Sequence, residues 1–445
     1  MTTDNPFFHR GAIRRAEEFY GRQNEIGQVL GLLRNGQSVS LIGPRRIGKS
    51  SLLLHLVRPQ VREAHQLNTS SILFVLLDCQ EFGGSLPEEV YEALLAEIVE
   101  QAHEVGCVLD DVDRYGTYRS LDRVLNQLSQ AGVNVVVLLD EFELMAGNPR
   151  LTPYFFARLR GLTTKYGLAY LTASQRPLFD ITADEEILSS PFFNIFVTLP
   201  LGLYSEDEAR GLLAVRLEGT GVTFPEPLCE HLLYLVGYHP FFLHVAGYHA
   251  FQALLQGRSL ETKAELGQLD AAVEVEADSH LSYLWQNLNG EEQYTLATLE
   301  GPVDSLRLLE QQCLIQAANG ERAGNPAGSF TYTSEMLRRF VRRQSVPGVI
   351  QAGPFVIDEQ RHSVRADGQE LNLTTSQFDL FARLTRDAGQ VVHSDDLETA
   401  VWGEILVDDP DRLKTLIKRL RRAIEPYDDW IVSERGVGYS LRTPD

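Results

Sequence analysis

Three groups of residues in this chain have types and spacings suited to chemistry. The first is Gly43-Pro44-Arg45-Arg46-Ile47-Gly48-Lys49-Ser50-Ser51. A glycine, four residues, then Gly-Lys-Ser is the Walker A pattern of a phosphate loop. Gly43 and Gly48 let the backbone curl so that its N–H groups point at a polyphosphate, and a helix starting near Lys49 adds further donors and a favourable dipole. Lys49 would neutralise the β- and γ-phosphates, and the Ser50 hydroxyl would bind Mg2+. The second group is Asp140-Glu141, at the end of the apolar run that starts at Val133. Asp140 would hold Mg2+ through water and Glu141 would polarise the attacking water, the work of a Walker B element. The third is Arg412 to Ile424, in which Arg412, Lys414, Thr415, Lys418, Arg419, Arg421 and Arg422 share the chain with no acid. A solvated helix face ordinarily interleaves acids with its bases. A face without them suits phosphates and base edges in a DNA major groove.

These groups need elements to place them. Ser38–Ile42 reads as a short buried strand feeding the phosphate loop. Ser71–Asp78, Val133–Asp140 and Leu168–Ser174 read as further strands, each rich in branched apolar residues as in a parallel sheet covered on both faces. Helical patterns lie between them, which predicts a doubly wound parallel α/β sheet. Ligands bind such sheets at the carboxyl ends of the strands, so Ser174, Gln175 and Arg176 are candidates to sense the γ-phosphate. Upstream, Phe19, Tyr20, Gly21 and Arg22 have two readings. The aromatics cover an adenine while Arg22 reaches a phosphate or an acid, or the segment is a strap on the core. Downstream, Glu206 opens a series of helices to about Gln256, with Pro240 placed to start one of them. Short helices and a β-like Ser329–Thr333 follow, as in a winged helix, and the turn-rich stretch Asn319 to Pro326 lies before that strand. Ser345–Gly353 reads as a linker. Beyond it, Leu413, Leu416, Ile417, Leu420 and Ile424 form one apolar stripe beneath the basic face. Arg435, beside Gly436 at a hairpin tip, would reach an adjacent minor groove. Trp402 and Trp430 read as core.

Composition narrows the classes. The chain has 445 residues, too many for one core, with 44% hydrophobic and 23% charged residues. Its formal net charge of −21 argues against coating nucleic acid over the whole surface, but not against a local basic head. Four scattered cysteines without CxxC spacing point to reduced thiols. Neither a signal-peptide pattern nor a membrane-length apolar run is present, so the expected location is the cytoplasm.

Phe19-Tyr20-Gly21-Arg22, the Walker A loop with its Gly-Pro-Arg-Arg start, Asp140-Glu141 and Gly237-x-x-Pro240 together resemble the STAND-class signalling ATPases, close to the archaeal-type and AAA-like members. The resemblance covers roughly Asn5 to Arg343. It implies an α/β P-loop NTPase with a helical lid and a winged helix, Pro240 near the adenine, and ATP or ADP with Mg2+ as ligands. It also implies nucleotide-dependent self-assembly. The chain departs from that class at Gln175, where the class often has arginine, and in lacking a C-terminal repeat array. Instead, Pro354 to Asp445 resembles an OmpR/PhoB-type winged helix-turn-helix domain, an α+β fold, through Leu373 to Leu380, Val401-Trp402-Gly403, Ile417 to Pro426 and Arg435 to Tyr439. The expected domains are 1–200 (strap and nucleotide-binding domain), 201–256 (lid), 257–344 (first winged helix), 345–353 (linker) and 354–445 (DNA-binding domain).

The leading expectation is an ATP-dependent switch with slow hydrolysis, coupling assembly to sequence-specific binding of double-stranded DNA. An activating protein or ligand is a further expected partner. One alternative is a STAND-type defence or signalling scaffold that uses the last domain as sensor or dock. Another is an initiator-like, DNA-remodelling ATPase in which a neighbouring subunit supplies an arginine finger, for which Arg45, Arg46 and Arg160 are candidates.

Overall fold

The structure is a computed structural model. It describes residues 4–7, 11–110, 112, 115–179, 181, 191–318, 330–405 and 411–442. The expected turn-rich stretch Asn319 to Pro326 lies outside the described residues. The chain divides into two compact units, Met1–Val273 with Gln311–Cys313, and Glu274–Glu310 with Leu314–Asp445.

The first unit is built on β1 (Ser38–Ile42), β2 (Ile72–Asp78), β3 (Asn134–Asp140), β4 (Ala169–Ser174) and β5 (Phe196–Pro200), in the order β2-β3-β4-β1-β5. Every neighbouring pair is parallel. The apolar runs are buried because helices cover both faces. One face packs Val75, Val135, Val137 and Leu139 against α4 (Pro87–Glu104), α5 (Tyr118–Gln130) and α7 (Pro153–Tyr166). The other packs Val39, Leu41, Val136 and Leu138 against α1 (Gln23–Arg34) and α2 (Lys49–Leu56). The alternation of Val135 and Val137 with Val136 and Leu138 between the two cores is the two-residue period of a strand.

The strand order sets the site. β1, β4 and β3 are adjacent, so the loop after β1 and the acids after β3 sit two strand spacings apart, about 10 Å. The end of β4 lies between them. Strand β5 was not expected from the sequence. It is a short edge strand with mostly exposed side chains, and its Phe-Val-Thr-Leu-Pro lacks the continuous apolar run that marks the inner strands.

The lid helices are Glu206–Leu217, Glu226–Val236 and Pro240–Leu255. Ser205 and Glu208 form a reciprocal capping box on the first, and Pro240 is the first residue of the third, where its missing N–H costs nothing.

In the second unit, helices Gly290–Thr298, Val303–Gln311 and Glu335–Arg342 with the antiparallel pair β6 (Ile315–Ala317) and β7 (Phe330–Tyr332) form the expected first winged helix. Three arginines in and beside its basic last helix pair with acids of the same domain. Arg338 pairs with Glu335 at 2.6 Å, Arg339 with Glu274 at 3.0 Å, and Arg343 with Glu274 at 2.8 Å.

A four-stranded antiparallel sheet follows, in the order β11 (Gln369–Leu371), β10 (Ser363–Ala366), β9 (Phe355–Asp358), β8 (Val349–Ala352). The expected linker 345–353 is therefore corrected. Val349–Ala352 pairs with Phe355–Asp358 across a tight turn at Gly353, whose φ of 56° suits glycine. This sheet also meets the first winged helix. Arg361 pairs with Glu300 at 2.8 Å, Arg365 donates to the Thr298 carbonyl at 3.2 Å, and the Tyr294 hydroxyl bonds Asp358.

Helices Thr375–Arg386, Ser394–Trp402 and Arg412–Ala423, with β12 (Val392–His393), β13 (Ile431–Glu434) and β14 (Gly438–Leu441), complete the last domain. Leu413, Leu416, Ile417, Leu420 and Ile424 are all buried in its core, as their spacing predicts, with Trp402 and Trp430 packed alongside.

Leu138 is fully buried in β3. Leu138→Ala is expected to lower stability by about 2–5 kcal/mol, read as a fall in urea midpoint without a change in slope.

Candidate nucleotide site and DNA-facing helix

The phosphate loop leaves β1 and turns back over its own first residues. A Cβ on Gly43 would lie 2.4 Å from the Leu201 carbonyl oxygen, so no larger residue fits without moving backbone. Gly48 caps α2 at φ 108°, a conformation that excludes ordinary side chains. Lys49 is only 5% exposed, and its ammonium is folded back onto the carbonyls of Gly43 and Pro44 at 2.8 and 3.0 Å. Burial lowers its pKa, and the charges of Glu141, Glu143 and Asp140 oppose that fall. Burial raises the pKa of Asp140, and a hydrogen bond from the Ser50 side chain opposes the rise.

That Ser50–Asp140 contact joins the two side chains expected to hold Mg2+. Among the described residues no group of three or more His, Cys, Asp or Glu converges on a metal position. Two oxygen ligands with room for waters and substrate phosphates fit Mg2+, which keeps waters and rarely takes an all-protein cage.

A cleft opens above the loop. It is lined by Tyr20, Arg22, Arg45, Arg46, Ile47, Gly48, Lys49, Ser50, Ser51, Glu141 and Pro240, all singled out from sequence. Gly21, Gly43, Pro44, Asp140 and Arg176 are not among its lining residues. Gly43 and Pro44 lie beneath, as acceptors for Lys49.

Several of these side chains have defined partners. Arg22, 3% exposed, pairs with Glu25 at 2.9 Å and donates to the Gly202 carbonyl at 2.6 Å and the Ile47 carbonyl at 3.3 Å. From the cleft wall it ties the phosphate loop at Ile47 to Gly202, as a strap on the core would. Phe19 stacks on His55 at 3.9 Å, and the Tyr20 carbonyl accepts from the Tyr204 hydroxyl at 2.9 Å. The Ser51 hydroxyl accepts from the Ile13 amide at 2.9 Å, and Arg46 lies over the Phe241 ring at 4.5 Å.

At the end of β4 the Ser174 carbonyl accepts from the Gly43 amide at 3.1 Å, and the Ser174 hydroxyl donates to the Arg176 carbonyl at 2.8 Å. The Gln175 amide donates to Glu143 Oε1 at 3.3 Å. Glu141 stands at φ 49°, ψ 44°, in the left-handed region, at the head of the short helix α6 (Phe142–Ala146). Strain of this kind concentrates at functional sites.

Sequence reading missed Tyr204, Arg216 and Phe241 in the cleft. They arrive from the lid, and no local pattern ties them to a loop some 160 residues upstream. Glu143 was missed although Asp-Glu-Phe-Glu stood in view.

In the second unit, Lys414, Thr415, Lys418, Arg419, Arg422 and Arg435 are exposed, and so is Arg412. Arg412 lies over the Trp402 ring at 4.3 Å, Lys414 pairs with Asp411 at 3.0 Å, and the Thr415 hydroxyl donates to the Asp411 carbonyl at 2.9 Å. Arg421 instead donates to the Ile431 carbonyl at 2.6 Å and the Ser433 hydroxyl at 2.9 Å, fastening helix to hairpin.

The first unit is thus a P-loop nucleotide-binding fold and the end of the second a winged helix. The fold matches a Walker-type ATPase of Pyrococcus abyssi with a TM-score of 0.54 and 17% identity, over 76% of this chain and 99% of that one. The chain belongs to the STAND NTPases: residues 27–299 match the family described as Novel STAND NTPase 2. Residues 368–441 match the family described as Transcriptional regulatory protein, C terminal. In that region the chain is 39% identical over 97 residues to the sensory transduction protein RegX3 of Mycolicibacterium smegmatis, covering 21% of this chain and 42% of RegX3. It is 32% identical over 108 residues to the response regulator ArlR of Staphylococcus saprophyticus, covering 24% of this chain and 49% of ArlR. The chain therefore spans about half the length of these curated relatives. Among the described residues no helix is long and apolar enough to cross a membrane.

Burial, first among several causes, pushes the Glu143 carboxyl from 4.5 up to about 7. A carboxyl raised on folding contributes stability that is fully present below pH 4.5 and gone once pH has risen through about 7. Glu143→Gln cannot ionise, so it is expected to gain on the wild type across that window, by roughly 2–3 kcal/mol at pH 8 relative to pH 4.5. Paired thermal melts at the two pH values measure the difference.

Proposed function

We propose that this protein is a nucleotide-gated regulator, in which the state of the STAND NTPase domain governs binding of the OmpR/PhoB-type domain to double-stranded DNA. The observation that supports this most is the presence, in one chain, of a phosphate loop with its lysine already buried among three acids and a helix whose outer face carries bases alone. RegX3 and ArlR are named as a sensory transduction protein and a response regulator, which favours a regulatory output for the shared domain.

In this reading, ATP enters the cleft and Lys49 leaves the Gly43 and Pro44 carbonyls for the β- and γ-phosphates. Loop amides from Arg45 to Ser51 surround the phosphates, and Pro240 and Tyr20 face the nucleoside. Ser50 and Asp140 would hold Mg2+, which when bound neutralises phosphate charge. Glu141 orients water for slow hydrolysis, with Arg176 in reach of the terminal phosphate after local rearrangement. Lys418, Arg419 and Arg422 contact DNA in the major groove, Arg412, Lys414 and Thr415 contact its flanks, and Arg435 the minor groove. The ATP form assembles, and joining several weak heads raises avidity by about 10²–10⁴-fold without new contacts. An activating protein or ligand shifts the balance, and the cytoplasm is the expected setting.

The test is DNA binding at one fixed salt concentration, without nucleotide, with ADP and with a non-hydrolysable ATP analogue. Salt is held because phosphate contacts make affinity steeply salt-dependent. The analogue is expected to tighten sequence-selective binding and Lys49→Ala to abolish the gain. Nucleotide-indifferent binding would sink the switch. Arg419→Ala is expected to cost about 1–3 kcal/mol of specific binding. If function survives that loss, the scaffold reading takes precedence. Strong stimulation of hydrolysis by duplex DNA would instead favour remodelling.

A further inference from the structure

One acid at the nucleotide site has no part in the Walker A and B assignments. Glu143 lies in the first turn of α6, three residues past Asp140. Its Oε1 accepts from the Gln175 amide at 3.3 Å, and the carbonyl of that same residue accepts from the Gln312 side chain at 3.1 Å. Glu143 therefore ties the turn after β3 to the end of β4. Its Oε2 is sealed from solvent and has no hydrogen-bond partner among the described residues.

Capping a short helix or bracing Gln175 accounts for Oε1 alone. A dry carboxylate oxygen without a donor is a cost that folding ordinarily avoids. The cost falls if Glu143 is neutral, because an uncharged carboxyl loses less on leaving water. Burial and the Glu141 charge favour the protonated form, while Lys49 opposes it. Glu141 lines the cleft and Glu143 does not. Glu141 is the N-cap of α6, so it stands in the turn that Glu143 ties to β4.

We propose that Glu143 is a positioning residue for nucleotide hydrolysis, pinning the turn after β3 to the end of β4 and holding the Glu141 carboxylate toward the attacking water. This rests on the hydrolytic reading of Glu141. In that step the water oxygen bonds to the γ-phosphorus, and the bond from that phosphorus to the β–γ bridging oxygen breaks. ADP leaves with the bridging oxygen, and the water's proton passes to Glu141. Glu143 exchanges nothing with substrate. It fixes where Glu141 points.

The test uses the full chain, steady-state ATP hydrolysis and the affinity for a fluorescent ATP analogue. Glu143→Ala is expected to lower kcat about 10–100-fold while analogue affinity stays within about 3-fold, because only an orientation is lost. Glu143→Gln keeps an acceptor for Gln175 and stays uncharged, so it is expected to restore at least about 5-fold of the rate lost in the alanine variant. Glu141→Gln combined with Glu143→Ala should be no more than about 3-fold slower than Glu141→Gln alone, since the inner residue acts through the outer one.

Wild-type turnover in Glu143→Ala overturns the proposal, as does a glutamine variant no faster than the alanine variant. Multiplicative losses in the double variant also overturn it, because the two residues then act independently. Loss of analogue affinity together with turnover means a merely structural residue and overturns it as well. A wild type that hydrolyses nothing overturns the hydrolytic reading and the role of Glu143 with it. A wild type that does turn over, beside an unimpaired Glu143→Ala, removes Glu143 alone.

Discussion

A buried ammonium is the constraint on which the nucleotide-binding unit depends. Lys49 is almost wholly withdrawn from water, and an isolated cation there would be severely penalised. Two carbonyls of its own loop and three nearby acids make the position tolerable. The acids are in turn acceptable because Lys49 is there: burial disfavours the charged forms of Asp140 and Glu143. The Lys49 and Asp140 charges support one another, while Glu143 is pushed toward its neutral form. The parallel sheet makes this balance possible by bringing the ends of β1, β4 and β3 side by side. Arriving phosphates enter a place where one positive charge is lightly held by neutral oxygens, while the negative charges stand slightly back.

Much of this was legible in the sequence, for identifiable reasons. The inner strands are buried on both faces, so each leaves an unbroken apolar run, and the loop and acids at their ends follow by position. The basic helix was legible because its apolar stripe and charged face obey one period. What escaped was set by tertiary contact. Tyr204, Arg216 and Phe241 reach the cleft only because the lid folds over it. Arg22 had two readings because an arginine beside a phosphate loop looks the same whether it faces ligand or backbone. Two of its three partners are backbone carbonyls and the third is the Glu25 carboxylate. Val349–Ala352 looked like a linker because Pro347 and Gly348 precede it and Gly353 follows, yet those residues form the turns of an edge strand. Glu143 was hidden by its setting, since an acid early in a helix invites a dipole explanation.

Charge is distributed by locality in this chain. A protein with a net charge of −21 keeps a basic surface by confining it to one helix and one hairpin tip. One arginine in the region is spent on an internal task, Arg421 on the hairpin, while Arg412 lies over the Trp402 ring and stays exposed. The first winged helix shows the opposite economy. Its last helix is equally arginine-rich, but Glu335 and Glu274 answer those charges within the domain. Arginine content alone would have suggested two nucleic-acid heads where pairing distinguishes them.

The sheet that opens the last domain has a mechanical consequence. Strand β8 begins only seven residues after the helix Glu335–Arg342, and Glu300 and Thr298 grip Arg361 in the turn after β9 and Arg365 on β10. A reading head on a long flexible tether samples many spacings and tolerates variation in its target. A head mounted on so short and so bonded a joint has almost no reach of its own. The last domain and the first winged helix are thus coupled, and a displacement of one is carried to the other.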